Sequence, residues 1–234
     1  MLHARTRAAA LAACLLPLTL AACSDDAPPS PDPTVDVQDR LDAAKAALDE
    51  AASIDFDLST DALPSGTPGL LSATGVGTHD PAFRGDVIVS AVGQNVDAAV
   101  VSVDGQVQAK LGFTPSYIPF DPASVGAPDP AGFFDPDTGV SGFLTSTDDP
   151  VEGDQTRDGE DVLTQISGTL PGEVVQTLVP TADATSDFDV TYDLTDEDVL
   201  RTASITGPFY PDGEDVTYAL RVEASDQAVD IQAP

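Results

Sequence analysis

Hydrophobic and polar residues alternate along most of the chain with a period of two, which is typical of β-strands with one buried face. The clearest case comes early, where Ile54, Phe56 and Leu58 alternate with polar residues. The same alternation, or a continuous apolar run, recurs at 70–79, 84–92, 95–104, 106–112, 150–158, 160–169, 186–195, 198–207, 214–224 and 227–233. The pattern therefore predicts about eleven strands.

Three segments show helical spacing or helix start signals instead. Apolar residues in 35–52 recur at alternating steps of four and three, which places them on one face of a helix. Thr34 is a candidate N-cap for this helix. A short helix is expected at about 138–146, and a third at 171–179, with Pro171 in its first turn.

The segment 113–136 follows neither pattern. It holds six prolines and five aromatic residues, Phe113, Tyr117, Phe120, Phe133 and Phe134. A loop of this length in a compact domain is usually functional or disordered, and the aromatic residues argue against disorder. We expect an ordered loop that lies over an apolar surface.

The order of the strands predicts the fold class. Asp104-Gly105 and Asp158-Gly159 are strong hairpin signals between neighbouring strands. Strands joined in this way form antiparallel sheets with one apolar and one solvated face. We therefore expect an α+β fold, with one large, curved antiparallel sheet of about eleven strands and about three helices. Such a sheet either closes on its own side chains or leaves an apolar cavity that a ligand fills, and the pattern favours neither outcome.

The first 34 residues have a different character. A basic start with Arg5 and Arg7 precedes an apolar run from 8 to 22, which is the layout of a secretory signal peptide. Leu20-Ala21-Ala22-Cys23 resembles the lipobox of bacterial lipoproteins, in which the cysteine receives a diacylglyceryl group and becomes the new N-terminus. The alternatives are an ordinary cleaved signal and a membrane helix, although a membrane span needs about 20 apolar residues and this run is shorter.

These features divide the chain into three parts: a signal peptide at 1–22, the lipidated Cys23 with a Pro-rich tether through residue 34, and a single domain at 35–234. The tether contains four prolines, and it would span roughly 30 Å if extended at ~3.1 Å per residue. Cys14 ends a similar short motif but lies too close to the basic start to follow an apolar segment. The domain would therefore be anchored to the membrane through lipid at its N-terminus.

The composition excludes several partners. The chain has 40 acidic and 9 basic residues, a formal net charge of −31. Nucleic acid is excluded because phosphate backbones require Lys and Arg, and the body is not expected to lie on an anionic membrane surface. Cleavage after residue 22 leaves Cys23 as the remaining cysteine, so no intramolecular disulfide is expected.

Catalysis and metal binding find little support. The mature chain has one histidine, His79, in a predicted turn, and it has no Gly-x-Ser-x-Gly motif for a hydrolase. No His/Cys cluster is available for zinc or iron. The Asp135–Gly139 segment begins like an EF-hand, but its glycine is one position early and the twelfth position, Ser146, is not a carboxylate. We predict that the protein is not an enzyme and that it uses no cofactor or metal.

Several short motifs resemble the LppX/LprA/LprF/LprG lipoproteins of mycobacteria and related actinobacteria. They are Leu-Ser-Ala-Thr-Gly at 71–75, Val-Ser-Val-Asp-Gly-Gln-Val at 101–107, Tyr-Ile-Pro-Phe-Asp-Pro at 117–122, Phe-Asp-Pro-Asp-Thr-Gly-Val at 134–140, Leu-Arg-Thr-Ala at 200–203 and Ile-Thr-Gly-Pro-Phe at 205–209. The resemblance implies a half-barrel of antiparallel strands with helices across its mouth, similar to the LolA/LolB carriers. It also implies binding of multi-acyl lipids or glycolipids, such as triacylated phosphatidylinositol mannosides or triacylglycerols, and their movement outward through the envelope.

On this basis, the residues expected to line a lipid cavity are Ile54, Phe56, Leu58, Val87, Val89, Phe188, Val190, Tyr192, Val216, Tyr218 and Leu220, with Phe133, Phe134 and Phe143 as candidate gate residues. From the pattern alone, the strand residues fit a plain core equally well. The predicted function is a monomeric lipid carrier, anchored on the extracytoplasmic face of the cell membrane, with a membrane lipid transporter as a further candidate partner. The alternative is a tethered interaction module that assists a membrane transporter without lipid cargo.

Overall fold

The computed structural model describes residues 36–91, 93–211 and 214–234. The predicted signal peptide and tether, including Cys23, lie outside the described residues. In chain order the elements are α1 (Val37–Glu50), β1 (Ser53–Ser59), β2 (Gly69–Thr78), β3 (Ala82–Ala91), β4 (Gln94–Val103), β5 (Gln106–Leu111), β6 (Ile118–Pro119), α2 (Val140–Thr145), β7 (Asp148–Asp158), β8 (Asp161–Pro171), α3 (Gly172–Leu178), β9 (Asp187–Thr195), β10 (Leu200–Gly207) and β11 (Val216–Ser225). Two 3₁₀ helices, Pro122–Val125 and Pro130–Phe134, lie between β6 and α2.

All described strands belong to one antiparallel sheet of 11 strands, in the order β6-β5-β4-β3-β2-β1-β11-β10-β9-β8-β7. The sheet consists of two meanders, β1 to β6 and β7 to β11, which join where β1 pairs with β11. The two edge strands, β6 and β7, follow one another in the chain but lie at opposite edges, so the sheet is open. The predicted α+β fold with a large antiparallel sheet is confirmed.

The strand alternation sends apolar residues to one face, which we call the inner face. Ile54, Phe56 and Leu58 on β1 are buried there, while the intervening Asp55 and Asp57 are exposed. The same alternation buries Val216, Tyr218, Leu220 and Val222 on β11. A single large core forms between the inner face and the helices.

The position of the edge strands determines where the next segment runs. Because β6 and β7 lie at opposite edges, the chain between them must cross a face of the sheet. Eleven strands at a spacing of about 4.8 Å would be roughly 50 Å wide if the sheet were flat. Residues 120–147, which we call the cover, carry both 3₁₀ helices and α2. Phe133, Phe134 and Leu144 of the cover are buried in the inner-face core.

The first helix packs through the residues that its periodicity predicted. Leu41, Ala44 and Leu48 are buried on one face of α1. Its N-cap is Asp36, whose side chain accepts a hydrogen bond from the Gln38 amide at 3.0 Å. The predicted N-cap, Thr34, is wrong by two residues, because the helix begins at Val37 and not before it. An aspartate side chain accepts hydrogen bonds from the first free amides of a helix as well as a threonine does.

Two strand assignments differ from prediction although the total of eleven agrees. Residues 227–233 do not form a strand; Ile231 is instead buried against Ala82 and Val101 on the outer face of the sheet. The alternating pattern of this segment arises because its apolar side chains pack on the outer face of the sheet, and not because the segment pairs with an edge strand. Conversely, β6 falls inside the segment expected to be a loop, where it pairs with β5. Phe113 in that segment is 82% exposed and does not contribute to the cover.

Candidate functional site

Two small apolar cavities lie between the inner face and the cover. The first has a volume of about 50 Å³ and is lined by Leu58, Leu70, Gly126, Pro128, Phe133, Val140, Phe143, Leu178, Val179, Ile205, Phe209, Tyr210, Tyr218 and Leu220. The second has a volume of about 30 Å³ and is lined by Phe56, Leu70, Ala73, Val87, Val89, Val100, Val107, Phe120, Pro122, Val125, Ala127, Pro128, Pro130 and Phe133. Leu70, Pro128 and Phe133 line both and therefore separate them.

The structure divides the residues predicted to line a cavity into two groups. Eight of them line one or both cavities: Phe56, Leu58, Val87, Val89, Phe133, Phe143, Tyr218 and Leu220. The other six residues of the described chain are buried in the core but line neither of these two cavities: Ile54, Phe134, Phe188, Val190, Tyr192 and Val216. Cys23 lies outside the described residues. A lipid-contact role for any of them remains a prediction.

Sequence reasoning missed several lining residues. Tyr210 lies in the loop between β10 and β11, and the prolines of the cover show no periodicity that would reveal their orientation. Ile205 and Phe209 belong to the 205–209 motif on which the family resemblance rested, so a signal for them was present.

Aromatic rings fix the cover on the sheet. Phe133 and Phe134 both pack edge-on against Phe56, with ring centroids 5.3 and 5.5 Å apart. Phe134 also stacks on Phe83 at 6.2 Å. A Cβ at Gly77 would overlap the ring of Phe134, so the absence of a side chain on β2 allows this close approach. These contacts make the middle of the cover part of the core.

Polar contacts also hold the cover in place, and three of them lie in its middle part. The Ser102 hydroxyl on β4 donates to the carboxylate of Asp129 at 2.6 Å. Lys45 on α1 donates through Nζ to the Pro136 carbonyl at 2.7 Å. His79, in the turn between β2 and β3, has ring nitrogens 2.9 Å from the Phe134 carbonyl and 2.8 Å from the Leu48 carbonyl.

The contacts of His79 bear on its chemistry. A neutral imidazole has one N–H and can donate to one of the two carbonyls only, whereas the imidazolium can donate to both. The ring therefore connects the C-terminal end of α1 to the cover. Both nitrogens face main-chain oxygens, and neither faces a hydroxyl that it could activate as a base.

The turn that precedes α2 is stabilised by Asp135. Its carboxylate accepts from the amides of Asp137 and Thr138, each at 2.9 Å. The hydrogen bond from Thr138, followed by that from Asp137, lowers the pKa of the Asp135 carboxyl despite partial burial. The segment that resembled an EF-hand start therefore forms a capped turn, and the residues that the structure describes contain no group of three or more metal-ligating side chains.

Two tyrosine hydroxyls bring polar atoms to the wall of the first cavity. Tyr218 on β11 donates to the Leu70 carbonyl at 2.6 Å, and the Tyr210 oxygen lies 2.6 Å from that of Tyr218. Burial raises the pKa of both phenols, so both remain protonated at neutral pH. Tyr192 forms a separate buried contact, with its hydroxyl 3.0 Å from that of Thr147.

The outer face of the sheet carries a wide polar groove of about 840 Å³. Arg221 and Arg201 line it and pair with Asp158 at 2.8 Å and Asp161 at 3.3 Å, which belong to the β7–β8 hairpin. These pairs attach the end of the hairpin to the outer face. They are exposed, so each contributes little to stability, about 0–1 kcal/mol.

In the part of the chain that the structure describes, every helix is too short or too polar to span a bilayer. This finding concerns residues 36–91, 93–211 and 214–234 alone.

Comparison with known proteins identifies similar chains. The family model described as LppX_LprAFG lipoprotein matches residues 36–232. The crystal structure of LprF from Mycobacterium bovis is 18% identical, covers 85% of this chain and 96% of its own, and has a TM-score of 0.68. The crystal structure of lipoprotein LppX from Mycobacterium tuberculosis is 15% identical, covers 84% of this chain and 98% of its own, and has a TM-score of 0.59. At these identities the two structures establish the fold alone. The comparison with curated proteins found no match.

Proposed function

Because the chain belongs to the LppX_LprAFG lipoprotein family, we propose that it is a lipid carrier that binds multi-acyl lipids or glycolipids between the sheet and the cover and moves them across the cell envelope. Family membership implies a membrane-anchored location in the envelope. The proposal adds that Cys23 carries the anchor, that the domain at 35–234 faces the extracytoplasmic side as a monomer, and that a membrane lipid transporter loads or unloads it.

The observation that carries this proposal is the pair of apolar cavities on either side of Phe133. Their walls are almost wholly apolar, and residues of the cover line both of them. Small-molecule sites usually measure about 300–1,000 Å³, whereas these measure about 50 and 30 Å³. Acyl chains can therefore enter only if the cover moves away from the sheet.

The energetics permit such a movement. Of the three polar contacts in the middle of the cover, those of Asp129 and Lys45 involve a charged group and contribute about 1.5–3 kcal/mol each, and that of His79 contributes about 0.5–1.5 kcal/mol. Releasing all three therefore costs roughly 3.5–7.5 kcal/mol. One acyl chain that buries ten methylenes gains about 8 kcal/mol at ~0.8 kcal/mol each. A multi-acyl lipid thus has enough binding energy to displace the cover, provided that the aromatic rings repack on its chains.

The small cavity volumes favour a second candidate function. A tethered interaction module would carry no lipid, so its core can be fully packed. Such a module would assist a membrane transporter. The broad polar groove of about 840 Å³ on the outer face provides surface for a protein partner.

Native mass spectrometry distinguishes the two functions. The protein is expressed without residues 1–23 in an actinobacterial host and then offered phospholipid, diacylglycerol and triacylglycerol. A carrier retains or takes up lipid in stoichiometric amounts. Protein that carries no lipid and cannot be loaded with any would contradict the carrier proposal and favour the interaction module.

A substitution at the anchor separates its role from that of the cavity. Cys23→Ala should move the protein from the membrane to the soluble fraction, since the covalent lipid is lost. Lipid binding should be unchanged, because the cavities are formed by other residues. Loss of lipid binding in a folded, soluble Cys23→Ala protein would contradict the separation of anchor and cargo.

A further inference from the structure

The two polar side chains that line the first cavity, Tyr210 and Tyr218, have a defined direction of hydrogen bonding. Each tyrosine hydroxyl has a single proton. The proton of Tyr218 is donated to the Leu70 carbonyl, so the short contact between the two phenols must use the proton of Tyr210. The chain of donors therefore runs from Tyr210 through Tyr218 to Leu70.

This direction leaves Tyr210 as an acceptor. Its proton is committed to Tyr218, and among the described residues no side chain donates to its oxygen. The main chain of Leu70 interacts with this oxygen, but a phenol oxygen has further acceptor capacity. Tyr210 and Tyr218 are the two residues with polar side chains among those that line the first cavity, so the Tyr210 oxygen is the acceptor that this lining can provide.

Packing holds the two phenols in this arrangement. Phe209 packs edge-on against Tyr218 at 5.0 Å and against Phe188 at 4.9 Å. A Cβ at Gly69 would overlap the Tyr210 hydroxyl, so Tyr210 fits against β2 only because residue 69 lacks a side chain. Tyr210 and Tyr218 are 4% and 8% exposed. The acceptor is therefore fixed in position before any ligand arrives.

We propose that the first cavity selects acyl lipids with a free hydroxyl beside their chains, the class of partly acylated glycerols, and that this hydroxyl donates to the Tyr210 oxygen. The inference rests on the proposed carrier function and specifies its cargo. A fully esterified or etherified lipid offers acceptors only. Such a lipid could accept a hydrogen bond from Tyr210 only if the Tyr210 proton turned away from the Tyr218 oxygen. That would break the hydrogen bond between the two phenols.

The test compares two lipids that differ in one donor. Full-length protein from an actinobacterial host is delipidated and offered equal amounts of 1,2-dioleoylglycerol and its 3-O-methyl ether, and the bound lipids are quantified by mass spectrometry. One additional buried hydrogen bond should favour the alcohol by roughly fivefold. Tyr210→Phe should abolish this preference and leave the affinity for the methyl ether unchanged.

Tyr192→Phe is the matched control. It also removes a buried phenol hydroxyl, bonded to Thr147, but Tyr192 lines neither of the two cavities. It should retain the roughly fivefold preference. Equal binding of the two lipids by the unmodified protein would overturn the inference alone, as would a preference that survives in Tyr210→Phe or disappears in Tyr192→Phe. Failure to bind either lipid would overturn the carrier function and this inference with it.

Discussion

Truncation of Phe133 tests whether its ring separates the two cavities. The ring is 8% exposed, packs edge-on against Phe56, and lines both cavities. In Phe133→Ala, the lost transfer free energy of the ring is about 1.5–2 kcal/mol. A new void of about 100 Å³ adds about 2.4 kcal/mol at ~24 cal/mol per Å³. The expected destabilisation is therefore about 4 kcal/mol.

Urea denaturation measures this cost. With an m value of about 2 kcal/mol/M, the unfolding midpoint should fall by about 2 M. Phe134→Ala is the control, because Phe134 is 2% exposed and packs on Phe56 but lines neither cavity. It should lose similar stability. Phe133→Leu, expected to cost about 1–1.5 kcal/mol, provides a milder variant if Phe133→Ala does not fold.

A measurement of ligand binding then distinguishes the roles of Phe133 and Phe134. Removal of the Phe133 ring joins the cavities into one continuous void, so binding of a fluorescent fatty acid should increase in Phe133→Ala and in Phe133→Leu. Phe134→Ala should not increase it, because its void lies apart from the cavities. A midpoint unchanged in Phe133→Ala would show that the ring is not packed as described. An equal increase in Phe134→Ala would refute its role as the partition.

Three further substitutions test the contacts around the site. Asp135→Asn should flatten the acid dependence of unfolding. Because the folded pKa of Asp135 is lowered, its contribution to stability is present above its ordinary value of 3.8 and is lost as pH falls through the folded value. The parent protein should therefore be more stable than the variant at neutral pH, and denaturation curves should show this difference shrinking below about pH 4. Gly77→Ala should destabilise the protein by forcing Phe134 to move, whereas Gly112→Ala, whose Cβ would meet nothing within 4 Å, should leave the melting temperature nearly unchanged. Arg40→Met should cost about 1–3 kcal/mol in urea, since Arg40 has a side chain only 11% exposed and pairs with two carboxylates; a cost below about 0.5 kcal/mol would show that these ion pairs are replaced by water.

The sheet could be predicted from the sequence because one face of it is buried. The alternation at Ile54, Phe56 and Leu58 fits only a strand that has one buried and one solvent-exposed side. A change of one residue in the pairing register would expose all three side chains to solvent. Hairpin turns then place neighbouring strands side by side. Alternation does not show what covers a strand. The segment around Ile231 was therefore predicted as the last of the eleven strands, whereas it is a tail packed on the outer face of the sheet.

The cavities could not be predicted in the same way. Their volume depends on how far the rings of Phe133 and Phe134 enter the space above the sheet, and no local pattern encodes this depth. Tyr210 lies in a loop, and its partner Tyr218 meets the Leu70 carbonyl only because β2 and β11 flank β1. Such contacts arise from strand order, and the pairing of β1 with β11 joins residues 160 or more positions apart.

The attachment of the cover restricts how it can move. Both of its ends continue directly into paired edge strands, β6 on one side and β7 on the other. A segment held at both ends cannot rotate away from the sheet about a hinge at one end. Only its middle can move away from the sheet while its two ends stay fixed. The greatest clearance would arise at mid-span, near Phe133, and almost none at the edges. A lipid would then have to enter along the strand direction with its acyl chains leading. The number of acyl chains that fit at once would be limited by how far the length of the cover exceeds the distance that it spans.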